Sequence, residues 1–295
     1  LKQNVEIFDF GAEPTAPMNN HVSYEEEINR FEQVLFPALK HMEEIKEKII
    51  SIDTYKIETI KYVLNYTRKW SLLTQIIWND VSGRYQDKEV IEIINENSNN
   101  LFYVANFTFI PERRLTTKHM EYKKDITNIE FQNEFFTYFS SVNNYFEKSN
   151  LLKNLIIDPG FGFSKSLTQN HYLMKNFSKI INQLMFDVPI LVGISKKSFL
   201  KHFTKDLIQL DDNFDLTELL HGAFMSSTLK QQNKSIIWRV HNPSVVNIYK
   251  SCLNKIFETL LLLEISTRTG DVFMKEKTPI FENLKKRSVS VPPNK

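Results

Sequence analysis

The segment NLIIDPGFGFSKS, residues 154–166, decides the fold because it joins a strand signal to a turn signal at a charged residue. The apolar run Leu155–Ile157 is typical of a strand that is buried on both faces. Asp158 ends this run, and Gly160 and Gly162 follow, although the chain contains only 7 glycines. A buried strand that ends in a carboxylate and a permissive loop is either a plain turn or the rim of an active site.

The rest of the chain repeats this alternation of apolar strand and amphipathic helix. Candidate strands occupy residues 5–11, 49–53, 75–80, 101–107, 153–160, 189–195 and 235–241. Helical periodicity separates them, at residues 24–46, 56–67, 88–97, 129–149, 173–185, 216–231 and 244–263. Continuous apolar strands separated by helices indicate a parallel sheet that is covered by helices.

Seven such units fit either a doubly wound sheet or a barrel, and the polar residues favour the barrel. Every candidate strand ends in at least one of them: Asp9, Asp53, Asn79 with Asp80, Asn106, Asp158, Ser195, and Arg239 with His241. A doubly wound sheet gathers its ligand groups at one switch point, whereas a barrel uses the carboxyl ends of all its strands. We therefore predict an α/β fold, a (β/α)8 TIM barrel over residues 1–264 whose first strand is missing from this chain. A partly disordered tail is expected over 265–295.

Composition and charge narrow the function classes. The net charge of +2 gives no electrostatic basis for binding nucleic acid. The most apolar stretch, FETLLLLEIS, is interrupted by Glu258 and Glu264 and is too short to span a membrane. One cysteine, Cys252, in a predicted helix, allows no internal disulfide, which indicates a reduced, cytoplasmic protein. Because the chain starts at Leu1 rather than Met and runs at once into a strand, we expect a fragment.

Several segments resemble the dihydropteroate synthase (pterin-binding) family in order and spacing. The three strongest are IIDPGFGFSKSLTQN, PILVGISKKSFL and IIWRVHNPSVV; ISIDTYKIETI and IIWNDVSG are two more, and IFDFGAEPTAP is a weaker match. The resemblance covers residues 5–263. It implies a barrel-shaped transferase of folate biosynthesis that condenses 4-aminobenzoate with (7,8-dihydropterin-6-yl)methyl diphosphate and releases diphosphate, usually with Mg²⁺.

The resemblance assigns the pterin-binding role to four residues. Asp158 is expected to accept hydrogen bonds from the pterin's donor edge, with Asp53 and Asn79 completing that recognition and Lys197 reaching the pterin carbonyl. A buried carboxylate suits a pair of N–H donors, and an amide offers both a donor and an acceptor. The alternatives are solvated strand ends or helix N-caps for the two acids and a solvated lysine for Lys197.

The diphosphate group requires positive charge, and the resemblance implies that Arg239 and His241 bind it. These two residues and Lys197 are the expected catalytic residues. Strand alternation places Arg239 and His241 on the same face. The alternative for Arg239 is an Arg–Asp pair inside the barrel. An aromatic amine is already nucleophilic, so catalysis is expected to rest on positioning and on stabilising the departing anion rather than on a nucleophile–base pair. A Ser–His–Asp arrangement has no support in the sequence.

Three further residues are expected to bind substrate. Phe163 and Ser198 resemble residues that line the aminobenzoate site, although Phe163 could be core packing and Ser198 a helix cap. Thr15 is retained in the second loop, whereas Ala16 stands where the family has an arginine that contacts diphosphate. The Ala105–Asn106 pair replaces the family's Met-His. The family's metal ligand lies in the absent first loop, so no metal ligand is expected in this chain.

Other readings of the same features remain open. A pterin-binding barrel with weakened catalysis could serve as a scaffold in a fused folate-pathway protein, and a pterin-binding methyltransferase is a more distant option. The resemblance implies a homodimer or a fusion to other folate-pathway domains. The expected partners are the two small-molecule substrates, with no nucleic acid and no membrane. The expected location is the cytoplasm, or the mitochondrion for a longer eukaryotic chain.

Overall fold

The computed structural model describes residues 5–13, 21–41, 48–70, 75–113, 126–204, 214–229, 234–252 and 259–266. Within them, eight parallel strands close into one barrel in sequence order. The strands are β1 (Ile7–Gly11), β2 (Ile49–Asp53), β3 (Gln75–Asp80), β4 (Leu101–Asn106), β5 (Leu155–Asp158), β6 (Ile190–Val192), β7 (Ile236–Val240) and β8 (Thr259–Ser266).

Helices follow the strands and cover the outside of the barrel. They are α1 (Tyr24–Gln33), α2 (Leu35–His41), α3 (Ile57–Lys69), α4 (Lys88–Glu96), α5 (Asn128–Lys148), α6 (Leu167–Lys175), α7 (Phe177–Asn182), α8 (Phe199–Thr204), α9 (Phe214–Thr228) and α10 (Ser244–Cys252). In the part of the chain that the structure describes, no helix is both long and apolar enough to cross a bilayer.

All seven predicted strands and their parallel pairing are confirmed, with ends that either match or shift by at most three residues. Alternation divides their buried side chains into two layers. One face of the strands packs against the helices. The other face fills the barrel interior with a single apolar cluster: Ile7, Ile49, Ile77, Phe102, Val104, Ile156, Leu191 and Ile237. The core therefore has an inner and an outer layer, as expected for strands buried on both faces.

The prediction of one helix over 244–263 is wrong in its second half. The helix α10 ends at Cys252, and Thr259–Ser266 instead forms β8, which pairs in parallel with β7 on one side and β1 on the other. Without β8, both neighbouring strands would expose a row of unpaired backbone N–H and C=O groups. A short apolar run does not distinguish a helix from a strand, so this tertiary requirement decides.

The strand β8 also bears on the expectation that one strand of the barrel is missing. The described residues close the barrel with eight strands, the eighth supplied by the C-terminal part of the chain. The expectation that a first strand is missing stays a prediction. Of the predicted tail, only residues 265 and 266 are described, where they end β8; residues 267–295 lie outside the described part.

The long helix predicted over 24–46 is interrupted. The helix α1 ends at Gln33, Val34 leaves the helical conformation at φ −120°, and α2 begins at Leu35. Pro37 explains the interruption, because it has no N–H to donate to the carbonyl four residues earlier and its ring collides with that carbonyl. The break lets each half bury its own apolar side chains, Ile28 and Phe31 in α1 and Leu35, Phe36, Ala38 and Leu39 in α2.

Candidate functional site

Polar side chains at the carboxyl ends of the strands continue the inward-facing rows of the barrel. Moving two residues along a strand returns to the same face. From the interior cluster this step leads from Ile7 to Asp9, from Ile77 to Asn79, and from Ile156 to Asp158. The polar residues that alternation places on the inward face at this end include Asp9, Asp53, Asn79, Asn106, Asp158 and Arg239. The apolar interior is thus closed at its C-terminal mouth by a ring of polar groups.

Arg239 joins two of these acids across the mouth. Its Nε donates to Oδ2 of Asp9 at 2.8 Å, and its Nη2 donates to Oδ2 of Asp53 at 2.5 Å. The three side chains are 11%, 0% and 9% exposed, so the ion pairs are shielded from solvent. Gly193 lies beside the arginine, where a Cβ would be 3.8 Å from the Arg239 Cδ. The Arg–Asp pair in the barrel interior, the alternative for Arg239, is therefore present.

Asp158 is buried at the end of β5 and lies in a positive field. Its Oδ1 accepts the backbone N–H of Gly160 at 2.7 Å. Burial raises the pKa of the Asp158 carboxyl, and this effect outweighs the Gly160 hydrogen bond and the nearby charges of Lys197 and Arg239. A buried carboxylate next to two cations is suited to accept hydrogen bonds from a polar ligand.

The loop after β5 is held tightly against β4 by Gly160 and Lys165. Gly160 has φ +70°, and a Cβ there would lie 2.1 Å from the carbonyl oxygen of Phe107, so only glycine fits. The Lys165 ammonium is buried and donates to the carbonyl oxygens of Phe107, Gly160 and Phe163 at 2.8, 2.7 and 3.1 Å. Burial lowers the pKa of Lys165. The three donors of an ammonium are matched by three acceptors, which fixes the loop beside Asp158.

Lys197 and Phe163 meet at the rim of the mouth. The Lys197 Nζ lies 4.5 Å from the centroid of the Phe163 ring, within cation–π distance. Phe163 is buried and packs with Tyr55 and Val81 in a small separate cluster. Gly162 gives the lysine stem room, since a Cβ there would be 3.3 Å from the Lys197 Cδ. Phe163 therefore has the packing role that was its alternative, and it also forms one wall beside Lys197.

The end of β3 presents two polar residues to opposite sides of the barrel. Asn79 faces inward and is paired in register with Asp53. Asp80 faces outward, where its Oδ2 accepts the Tyr103 hydroxyl at 2.9 Å and Nη2 of Arg113 at 2.7 Å. Arg113 also donates from Nε to Asp87 at 2.8 Å. These contacts anchor the loop after β4 against β3 and leave Asn79 as the inward-facing polar group.

His241 directly follows β7, two residues beyond Arg239, and contacts Ser195 in the turn after β6. Its Nδ1 is 2.8 Å from the hydroxyl oxygen of Ser195. Ser195 in turn donates to Oε2 of Glu218 on α9 at 2.7 Å. The prediction that Arg239 and His241 share a face of the strand stays a prediction, because β7 ends at Val240 and His241 lies just beyond it.

The predicted site residues are mostly brought together. Asp53, Asn79, Asp158, Lys197 and Arg239 surround one mouth of the barrel. The N-cap alternative for Asp53 does not hold, because α3 begins after Lys56 and no side chain caps it.

Two predicted residues stand apart from this group. Ser198 is exposed and directly precedes α8, in the position expected for its helix-cap alternative. Thr15 and its neighbour Ala16 lie outside the described residues.

Five residues that contact the site were not singled out from the sequence as site residues. They are Asp9, Arg113, Lys165, Ser195 and Glu218. Asp9 and Ser195 carried the signal of a polar strand end, which could have identified them. Arg113, Lys165 and Glu218 lie in loops or helices, where a charged residue is usually solvated and gives no signal.

The described ranges contain no binding site made of protein side chains for the expected Mg²⁺. No group of three or more His, Cys, Asp or Glu side chains there is arranged to hold a metal ion. The nearest candidates, Asp9 and Asp53, are already bound to Arg239. The residues that the structure describes therefore do not fit a resident metal ion.

The chain is similar in sequence to curated folate synthesis proteins and dihydropteroate synthases. A folate synthesis bifunctional protein of Arabidopsis thaliana is 27% identical over 209 residues, which is 68% of this chain and 40% of the relative. Dihydropteroate synthase of Escherichia coli is 27% identical over 244 residues, covering 80% of this chain and 73% of the enzyme. The chain spans less than half the length of the first curated relatives it matches, which are plant and fungal folate synthesis proteins.

A solved structure shares the fold. Dihydropteroate synthase from Anaplasma phagocytophilum, with bound 6-hydroxymethylpterin-monophosphate, superposes with a TM-score of 0.64 at 24% identity, over 83% of this chain and 86% of that chain. The family described as pterin binding enzyme matches residues 1–241, a range that includes Asp9, Asp53, Asn79, Asp158 and Arg239. The chain belongs to the pterin binding enzyme family.

Proposed function

We propose that this chain is a dihydropteroate synthase domain, a transferase that joins 4-aminobenzoate to (7,8-dihydropterin-6-yl)methyl diphosphate with release of diphosphate. The observation that carries the proposal is the buried carboxylate of Asp158, held by Gly160 at the barrel mouth beside Lys197 and Arg239. Membership of the pterin binding enzyme family supports it, as do relatives that are named dihydropteroate synthase.

In this proposal the inward-facing polar groups recognise the pterin through hydrogen bonds. The Asp158 carboxylate accepts from the adjacent N–H donors of the pyrimidine edge, which is the pairing expected of a buried anion and two neutral donors. Asn79 supplies an amide with both a donor and an acceptor. Lys197, beside Phe163, places an ammonium at the rim, where it can donate to the pterin carbonyl.

The diphosphate side of the site relies on Arg239 and His241. A guanidinium carries five N–H donors in a planar fork, and Asp9 and Asp53 accept from those at Nε and Nη2. The same fork can therefore hold its two acids while its outer edge donates to a phosphate oxygen. His241 offers a further donor when its ring is protonated. Neutralising the departing diphosphate lowers the barrier, because negative charge on that group increases as the C–O bond breaks.

The bond that forms joins the amine nitrogen to the pterin's exocyclic carbon, and the bond that breaks joins that carbon to a diphosphate oxygen. The amine loses one proton in the process, which leaves with solvent or diphosphate. No residue has to act as a nucleophile, so positioning and electrostatic stabilisation account for the catalysis. We propose that Mg²⁺ enters with the diphosphate as part of the substrate, since this ion commonly binds through substrate phosphates.

A coupled assay of diphosphate release tests the proposal. With both substrates present, the chain is expected to release diphosphate and form dihydropteroate, whereas omission of 4-aminobenzoate abolishes release. Asp158→Asn is the matched loss-of-function variant. No turnover together with measurable pterin binding would overturn the enzyme proposal in favour of the scaffold alternative. Absence of pterin binding as well would overturn both.

We also propose that α9 and α10 mediate homodimer formation. Leu220 and Phe224, one turn apart on α9, and Ile248 on the contacting helix α10 are 44%, 47% and 43% exposed. Isolated exposed apolar residues are ordinary, but three on adjacent helices are typical of an interface with a second copy. Sedimentation of the wild-type chain and of Phe224→Glu tests this, with a dimer and a monomer as the expected results. A monomeric wild-type chain would contradict it.

The cellular setting follows from the relatives. We propose that the domain functions either in the cytoplasm or, as part of a longer fused protein, in the mitochondrion. The related folate synthesis bifunctional proteins of Arabidopsis thaliana and Pisum sativum include members named mitochondrial. Fractionation of cells that express the full-length protein, followed by immunodetection, tests the location.

A further inference from the structure

Ser195 connects His241 to a buried carboxylate that was not anticipated from the sequence. The Ser195 hydroxyl donates to Oε2 of Glu218 at 2.7 Å, and its oxygen is 2.8 Å from Nδ1 of His241. The backbone N–H of His241 donates to the same oxygen at 3.1 Å. Glu218 lies on α9 and is 1% exposed, so this carboxyl group belongs to the interior. Three groups therefore converge on one hydroxyl.

The hydrogen-bonding capacity of that hydroxyl determines which atom supplies each proton. A serine hydroxyl has one O–H donor and two acceptor lone pairs. An ionised glutamate only accepts, so it takes the Ser195 proton. The His241 backbone N–H occupies one lone pair, and the remaining lone pair can meet Nδ1 only if Nδ1 carries a proton. The contact to Nδ1 is then an N–H donating to oxygen.

We propose that Ser195 and Glu218 are positioning residues that hold His241 in its Nδ1-protonated tautomer. This inference rests on the proposed function for its consequence, since it makes Nε2 the ring atom that meets a diphosphate oxygen in the reaction. When the ring gains a second proton, Nε2 becomes a cationic donor while Nδ1 continues to donate to Ser195. The Glu218 carboxylate balances that charge through one hydroxyl, as a second partner commonly orients a functional histidine.

The geometry also explains why these three residues do not form a nucleophilic triad. In such a triad the serine proton points to the histidine, and the carboxylate contacts the other ring nitrogen. Here the serine lies between the acid and the imidazole, and its proton points to the acid. The Ser195 proton therefore points away from His241, the residue that would be the base of a triad. The arrangement positions the histidine and does not activate the serine.

A competing arrangement uses the same distances with the protons reversed. If Glu218 were protonated, it would donate to Ser195, and Ser195 would donate to a bare Nδ1, which places the ring proton on Nε2. The two arrangements predict opposite tautomers for the same histidine. The ring nitrogens of a ¹⁵N-histidine-labelled sample therefore distinguish them directly, without substrate and without turnover.

The experiment is a long-range ¹H–¹⁵N correlation spectrum of the free chain at neutral to alkaline pH, with His241→Asn used to assign the signal among the 7 histidines. The wild-type ring is expected to show a protonated Nδ1 and an unprotonated Nε2. In Glu218→Met the Ser195 proton is free to turn toward Nδ1, so the ring proton is expected to move to Nε2. In Ser195→Ala the Nδ1 preference is lost, and in Ser195→Thr, which keeps the hydroxyl, it is retained.

Binding of inorganic diphosphate, followed by calorimetry, gives a second measurement. Ser195→Ala is expected to weaken it roughly tenfold, the loss of one well-placed hydrogen bond. Ser227→Ala, on the exposed side of α9, is the matched control and leaves binding unchanged. A wild-type ring protonated at Nε2 overturns the inference even if every variant fails to fold. A tautomer that is the same in Ser195→Ala and in Glu218→Met as in the wild type also overturns it. Absence of turnover bears on the proposed function alone.

Discussion

Arg239 on β7 donates from Nε to the buried Asp9 on β1 at 2.8 Å, although β8 lies between these two strands in the sheet. The long arginine side chain crosses β8, which pairs with both strands, and joins the two sides of the barrel's closing seam. Asp53 on β2 accepts from the same guanidinium. One cation therefore links three strands at the proposed diphosphate side of the mouth.

Removing this cation is expected to destabilise the fold. Arg239→Met leaves Asp9, which is 0% exposed, as an uncompensated buried charge, and we expect the free energy of unfolding to fall by about 3–5 kcal/mol. Asp9→Asn combined with Arg239→Met should lose less than the sum of the single variants. Urea denaturation of the wild type, Asp9→Asn, Arg239→Met and the double variant measures this coupling. Lys61→Met, which breaks the exposed pair with Glu89, is the control, with a loss of at most about 1 kcal/mol. Additive losses for Asp9 and Arg239 would contradict a direct interaction.

Asp158 is expected to make pterin binding depend on pH. The carboxylate accepts from two N–H donors with both oxygens, whereas protonation turns one of those oxygens into a donor. Because burial raises the pKa of Asp158, affinity should fall as pH decreases, starting above the range of an ordinary aspartate. Asp158→Asn should weaken binding by about tenfold or more at neutral pH and remove this pH dependence. Fluorescence titration with a pterin from pH 4 to 8 measures both effects, with Asp187→Asn, at an exposed position, as control.

The pH dependence that Asp158 gives to the stability of the fold is opposite to the one it gives to pterin binding. Because the folded state holds the Asp158 proton more tightly than the unfolded chain, this group favours folding at low pH. That contribution decreases as pH rises from the ordinary aspartate pKa to the raised one. An increase in unfolding free energy over the same interval that is specific to Asp158, judged against Asp158→Asn, would contradict the raised pKa.

Lys165 is expected to contribute strongly to stability despite its buried charge. Lys165→Met removes donors from the carbonyls of Phe107, Gly160 and Phe163, and leaving buried acceptors unpaired costs about 1–3 kcal/mol each, of which part is recovered by relaxation. We expect a net loss of about 2–4 kcal/mol in thermal or chemical denaturation. Lys175→Met, at an exposed position on α6, should change stability by less than about 0.5 kcal/mol. Equal effects at the two lysines would contradict this role.

Gly160 and Gly193 are a matched pair of glycines at the barrel mouth with opposite expected tolerance. Gly160→Ala places a Cβ 2.1 Å from the Phe107 carbonyl oxygen at φ +70°, and we expect a loss of about 2–4 kcal/mol and of pterin binding. Gly193→Ala places its Cβ no closer than 3.8 Å to Arg239, so its effect should stay within about 1 kcal/mol. Denaturation midpoints and pterin titration of both variants check this. A tolerated Gly160→Ala would show that the loop after β5 is free to shift.

Much of the fold and site was predictable because it rests on local patterns. Continuous apolar runs with polar ends identified seven strands, and those polar ends placed Asp53, Asn79, Asp158 and Arg239 at one end of the barrel. Pro37, which causes the helix to break at Val34, is visible in the sequence, but helical periodicity on both sides of the break favoured a single helix. Local patterns therefore identify strands and faces better than they identify ends and interruptions.

The amino-acid sequence alone determined the order of strands and helices, the parallel barrel and the polar ring at its mouth, because these depend on the spacing of apolar residues along the chain. Only the tertiary structure decided that Thr259–Ser266 is a strand, since its backbone pairs with both β7 and β1. The same holds for the Glu218–Ser195–His241 contacts, which join α9 to the segments that follow β6 and β7. Residues far apart in the chain satisfy each other's hydrogen bonds there, and no local pattern contains that information.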